Sequence, residues 1–187
     1  MNLANKLTVS RVVLVFVFMA TLLLPWSETM QLRLWVSLGV FSLASFTDFL
    51  DGYIARSQNL ITDFGKFADP LADKMLVTAA MVALIEIGPV PAGNLPAWIV
   101  ITILIREFTI SGVRIIAASK NVVIAASWWG KIKTNFQIFM IIILLIPVAN
   151  VYIKALATFL IYGALISTVI SGVEYILKNK EVFGKDI

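Results

Sequence analysis

The sequence predicts an all-α integral membrane protein with six transmembrane helices and both termini in the cytoplasm. Three observations predict it. The chain is 60% hydrophobic over 187 residues, with a mean hydropathy of +0.94, whereas soluble domains sit nearer half apolar. Its apolar residues fall in runs that approach the ~20 residues needed to cross a bilayer. Those runs lack period-two alternation, and backbone groups in lipid must be paired within their own segment, which leaves helices.

The first span runs from Leu7 to Leu24 and ends at Pro25-Trp26-Ser27-Glu28. Lys6 and Arg11 before an apolar run also suit a signal peptide, but no small-x-small cleavage site precedes Trp26, so the span reads as a retained helix. The second span runs from Leu32 to Ile54 and the third from Leu71 to Ile87, joined by a polar loop over Ser57 to Phe67. Gly88-Pro-Val-Pro-Ala-Gly-Asn94 is a strong breaker before the fourth span, Pro96 to Ala118. A second polar loop, Ser119 to Lys131, leads to the fifth span, Ile132 to Pro147. A tight turn leads to the sixth, Val151 to Leu177. Six spans put both termini and both polar loops on one side. Most of the fifteen Lys and Arg residues fall there, with only Arg33 and Lys154 opposite, so the positive-inside rule places that side in the cytoplasm. The whole of 1–187 reads as one domain, with no room for a separate soluble one and no internal repeat of the kind many transporters show.

Composition also excludes chemistry. There is no cysteine and no histidine, so thiol nucleophiles, imidazole bases and His-ligated zinc are out. The cations sit at the ends of apolar runs rather than clustered on a soluble face, which argues against nucleic-acid binding.

Against that apolar background stands the run Asp48-Phe-Leu-Asp51-Gly52-Tyr-Ile-Ala55-Arg56, then Gly65, Asp69 and Asp73. Asp48 and Asp51 are three apart near the end of the second span, and Asp69 and Asp73 four apart at the start of the third. Each pair therefore shares a helical face. A cap explains one aspartate, and Asp69 before Pro70 suits that role. Four are harder to place: a central transmembrane aspartate costs roughly 2.5–3.5 kcal/mol, so four cost on the order of 10 kcal/mol uncompensated. Antiparallel packing of the second and third helices brings the faces together as an oxygen-only site for hard cations, Mg²⁺ or Mn²⁺. Two such ions about 3.5–4 Å apart can clamp an in-line phosphoryl displacement. Gly52 allows close approach of a ligand, Arg56 can reach a phosphate, and Gly65 permits a tight loop entry to the third helix.

The pattern D-x2-D-G-x2-A-R-x8-G-x3-D-x3-D, matched here at every position, resembles the signature of the CDP-alcohol phosphotransferase family. The resemblance implies that Asp48, Asp51, Asp69 and Asp73 hold two divalent cations and that Asp73 is also the general base. It places the cytidine diphosphate against Gly52, Ala55 and Arg56, with Gly65 part of the same signature. It further implies a homodimer. Ile105-Arg106-Glu107-Phe-Thr-Ile-Ser-Gly-Val-Arg114, Gly130-Lys131-Ile-Lys133-Thr134 and Asn5-Lys-Leu-Thr8-Val-Ser-Arg11 are similar to bacterial members whose acceptor is glycerol 3-phosphate. On that footing CDP-diacylglycerol and glycerol 3-phosphate are the substrates. Arg114, Lys131 and Lys133, with Thr8 and Arg11, are candidates for the acceptor phosphate, and the site faces the cytoplasm of a bacterial-type cytoplasmic membrane, among its lipids. The lysines are equally able to meet anionic headgroups, and Arg106 and Glu107 to neutralise each other. Two other readings stay open: the same chemistry with inositol phosphate or phosphatidylglycerol as acceptor, and a small cation transporter whose ion path is the aspartates.

Overall fold

A computed structural model describes the backbone over residues 3–58, 63–119 and 127–179, and the side chains over 10–47, 74–117 and 127–179. The described residues form six helices: α1 (Leu3–Leu23), α2 (Met30–Gln58), α3 (Asp63–Ile87), α4 (Ala97–Ser119), α5 (Trp128–Leu145) and α6 (Val151–Lys178). No strand occurs among them, only an isolated bridge between Val90 and Gly93.

The helix ends follow local chemistry. Gly88 takes φ +73° just past α3, and its N–H donates to the Ile85 carbonyl at 3.1 Å, as a left-handed C-terminal glycine does. Val90 and Gly93 then exchange backbone hydrogen bonds of 2.8 and 2.9 Å, closing the turn that the Gly/Pro cluster predicts. Ser127 caps α5 by accepting from the Gly130 N–H at 3.1 Å. Asn150 caps α6 by accepting from the Tyr152 N–H at 2.8 Å.

Two differences from the sequence reading bear on the site. The polar stretch 57–67 is mostly helix: α2 continues to Gln58 and α3 begins at Asp63. Gly65 therefore stands in the first turn of α3, not in a loop, and Pro70 lies inside that helix, so Asp69 is no N-cap. Polarity had stood in for a break there, but charged and polar residues extend a helix readily once it leaves hydrocarbon. Likewise α5 starts at Trp128, which puts Lys131 on a helix.

The core draws on all six helices. Phe18, Leu22, Leu34, Phe41, Leu84 and Leu144 are among its fully buried side chains. Over their described lengths α2 and α3 touch little, and each packs chiefly on α1, while α6 packs on α5 and α4. Close approach of α5 to α6 depends on Gly163, where a Cβ would come within 2.5 Å of the Phe136 ring. Among the described residues α6 is the one helix long and apolar enough to cross a membrane, with mean hydropathy 1.9. Trp98, Ile101, Ile105 and Phe108 of α4, and Phe159, Tyr162 and Ile166 of α6, face outward, an exposed apolar surface of the kind that marks membrane contact.

Candidate active site

The aspartates lie toward the end of α2 and the start of α3. Asp48, Asp51, Gly52, Ala55 and Arg56 belong to the last third of α2, and Gly65, Asp69 and Asp73 to the first half of α3. Their side chains, and that of Thr8 on α1, lie outside the described residues. The described residues contain no group of three or more metal-ligating side chains. Helical register keeps Asp48 with Asp51, and Asp69 with Asp73, on shared faces, and a donor set of carboxylates alone suits a hard divalent cation.

Where the described side chains of α3 begin, at Lys74, a cavity of about 280 Å³ with both apolar and charged walls opens inside the bundle. Its charged walls are Arg11 of α1, Lys74 of α3, Glu107 of α4 and Lys133 of α5. Ser45 of α2 and Thr78, Thr134 and Gln137 complete its polar lining. Arg11, Glu107, Lys133 and Gln137 are all buried. Buried charges are tolerated only when paired, and Glu107 supplies the pairing. Lys133 Nζ contacts its carboxylate, Arg106 donates to Oε1 at 3.4 Å, and Lys74 Nζ lies 3.7 Å from Oε2.

This network is anchored on both sides. Lys74 also donates to the Ser111 hydroxyl, which donates in turn to the Glu107 carbonyl at 2.7 Å. Arg106 donates from Nη2 to Ser171 of α6. Gly172 leaves room for that guanidinium stem, since a Cβ there would meet Arg106 Cγ at 3.2 Å. Arg106 and Glu107 thus do neutralise each other, and Glu107 holds two lysines besides.

The acceptor candidates separate. Arg11 and Lys133 both line the cavity. Lys131 is exposed on the first turn of α5. Arg114 is exposed too and is occupied by α6: its Nε donates to the Tyr175 hydroxyl at 3.3 Å, with the guanidinium 5.6 Å from the ring centroid. Arg114, Lys131 and Lys133 therefore do not converge on one point, because consecutive positions on α5 face different ways and α4 turns Arg114 toward Tyr175. Sequence reasoning passed over Lys74, Ser45 and Gln137. The i, i+4 spacing of Lys133 and Gln137 on a helix entering the apolar core was the available signal.

Comparison with known proteins identifies the family. Residues 1–170 match the family model described as CDP-alcohol phosphatidyltransferase. The chain is 40% identical to the CDP-diacylglycerol--glycerol-3-phosphate 3-phosphatidyltransferase of Bacillus subtilis, over 96% of each chain. It is 36% identical to a probable phosphatidylglycerophosphate synthase of Mycobacterium tuberculosis, over 95% of this chain and 81% of that protein. It is likewise 36% identical to the CDP-diacylglycerol--glycerol-3-phosphate 3-phosphatidyltransferase of Rickettsia typhi, over 97% and 99%. A match covering most of its length, on a chain that carries the full aspartate signature, means that the protein belongs to the CDP-alcohol phosphatidyltransferase family.

Proposed function

We propose that this membrane-associated enzyme transfers a phosphatidyl group from CDP-diacylglycerol to the 1-hydroxyl of sn-glycerol 3-phosphate, giving phosphatidylglycerophosphate and CMP. The relatives named for this reaction support it. The observation that carries it is the cavity beside the aspartate helices. Three cations, Arg11, Lys74 and Lys133, face one carboxylate, Glu107. The excess of two positive charges suits a phosphate monoester dianion better than it suits an uncharged alcohol or a phosphodiester monoanion such as phosphatidylglycerol.

Each group then has a task. Enzymes of this family generally use divalent metals. Here Asp48, Asp51, Asp69 and Asp73 are the residues to hold two, Mg²⁺ or Mn²⁺, which when bound offset charge on the pyrophosphate oxygens. Gly52, Ala55, Arg56 and Gly65 hold the cytidine diphosphate. Asp73, one residue before cavity-lining Lys74, takes the proton from the acceptor hydroxyl. The hydroxyl oxygen bonds to the phosphorus that carries diacylglycerol. The bond from that phosphorus to the bridging oxygen breaks, and its electron pair leaves with CMP. Arg11 and Lys133 hold the acceptor phosphate, with Thr8 one turn before Arg11. Lys131 and Arg114, outside the cavity, draw anions toward it.

In this reading 1–187 is one domain, all six helices cross a bacterial cytoplasmic membrane, both termini and the site face the cytoplasm, and the chain works as a homodimer. The outward apolar faces of α4 and α6 support the first of these placements, and the crowding of cations on one side supports the second. The deciding experiment is CMP release by purified protein in detergent, with Mg²⁺ or Mn²⁺ and each acceptor alone. Fastest release with glycerol 3-phosphate is the expected result. Faster release with inositol phosphate, serine or phosphatidylglycerol overturns the acceptor, and cation-independent release overturns the metals. Because the chain has no cysteine, single introduced cysteines at 121 and 149 report the topology by labelling from opposite sides. A mass of one chain in mild detergent rejects the dimer.

A further inference from the structure

The cavity holds two polar groups that its charge balance leaves idle. Gln137 is 3% exposed, faces the cavity, and its Nε2 has no hydrogen-bond partner. Ser45, across the same cavity on α2, has a buried hydroxyl with no partner either. Native proteins rarely leave buried donors unpaired, and those they leave call for an explanation. Neither group is needed to balance charge, since both are neutral and Glu107 already takes up Lys74, Arg106 and Lys133.

We infer that Gln137 and Ser45 form a neutral subsite that reads the C2 hydroxyl of the acceptor, apart from the cations that hold its phosphate. The inference rests on the reaction proposed above. A phosphate dianion only accepts hydrogen bonds, and three cations already compete for it. A hydroxyl both accepts and donates, so one such group pairs with both idle partners, accepting a hydrogen bond from Gln137 Nε2 and donating one to Ser45 Oγ. The register agrees. Gln137 lies one turn beyond Lys133 on α5, about 6 Å along the axis. Ser45 lies three residues before Asp48 on α2, on the face that register gives to that aspartate. Gln137 and Ser45 thus lie on the core side of Lys133 and of Asp48, at a matching depth in the bundle.

The test compares two acceptors, glycerol 3-phosphate and propane-1,3-diol monophosphate, which lacks only the C2 hydroxyl. Wild-type kcat/KM should favour the first by about 10- to 100-fold, the factor that follows from leaving buried polar groups unpaired. In Gln137→Met, and less so in Ser45→Ala, the preference should collapse to within about threefold, chiefly through lost efficiency with glycerol 3-phosphate. The KM for CDP-diacylglycerol should stay put. Equal use of both acceptors by the wild type overturns the subsite, whether or not any variant folds. So does a Gln137→Met variant that loses both activities alike, as a packing residue would. No CMP release with either acceptor removes the transferase reading, and the subsite with it. Release with glycerol 3-phosphate but no discrimination removes the subsite alone.

Discussion

The two ends of this bundle are built on the same inward helical stripes with opposite chemistry. On α1 the buried positions run Arg11, Val15, Phe18, Leu22. On α5 they run Lys133, Gln137, then Met140, Ile141 and Leu144. On α3 the cavity-lining Lys74 gives way within three turns to the buried Ala80, Met81 and Leu84. At the apolar end Phe18 and Phe41 meet with ring centroids 5.7 Å apart, and stability comes from close packing. At the other end the same stripes carry ions that only their mutual pairing makes tolerable. The helical period never changes. What changes, within a turn or two of each helix, is whether the buried face is apolar or carries paired charge.

The largest effect should come from beyond the polar end. Asp69→Asn should lower CMP release by about 100- to 1,000-fold or more, since it weakens electrostatic stabilisation of the transferring group. Its thermal unfolding in detergent should move little, because no packing is lost. EDTA should silence the wild type comparably. An unchanged rate in EDTA ends the metal reading.

The apolar end should answer in the opposite way. Leu144 is fully buried, and Leu144→Ala should cost about 2–5 kcal/mol of stability with both KM values near wild type. A large rise in the glycerol 3-phosphate KM from this variant would mean that the two ends are not separable.

Between these extremes lies Lys133→Ala. It removes one cation from the cavity and one partner from Glu107, and should raise the glycerol 3-phosphate KM about ten- to a hundredfold, the value of a charge-assisted contact of about 1.5–3 kcal/mol. The CDP-diacylglycerol KM should hardly change. Equal increases in both would move Lys133 from the acceptor site to a general structural role.

Which parts were legible in the sequence follows from the same contrast. Long apolar runs announce helices, and α4 and α6 match the predicted bounds to within a residue or so. The aspartate signature is local in sequence, so spacing alone exposes it. The cavity is different: Arg11, Lys74, Glu107 and Lys133 come from four helices, and only packing brings them together. Lys74 is one of many cations on its side of the chain, and spacing gives no sign that Glu107 and Ser111 engage it. Gln137, a lone polar residue in an apolar run, carried no local motif to mark it. The polar load that builds the site also blurs the membrane signal: α4 carries Arg106, Glu107 and Arg114, and α5 carries Lys131 and Lys133. Charge is what makes those helices useful, and it is also what lowers their hydropathy below that of α6.

The smallest effect should come from Arg114, and it sharpens the line between cavity and rim. By spacing alone Arg114 stood with Lys131 and Lys133 as a phosphate ligand. In the fold it is exposed, donates to the Tyr175 hydroxyl and lies over that ring. An exposed cation–π contact is worth about 0.5–1 kcal/mol, so Arg114→Ala should cost little stability. Its charge still adds to the field that draws anions toward the cavity, and an exposed charge acts only within a Debye length, about 10 Å at 0.1 M salt. Arg114→Ala should therefore raise the glycerol 3-phosphate KM by less than about fivefold at low salt. That rise should fade as ionic strength increases, whereas the Lys133→Ala defect should persist, because a buried contact is screened far less. A salt-independent loss in Arg114→Ala as large as that of Lys133→Ala would place the guanidinium on the phosphate itself and require it to leave Tyr175 when the acceptor binds.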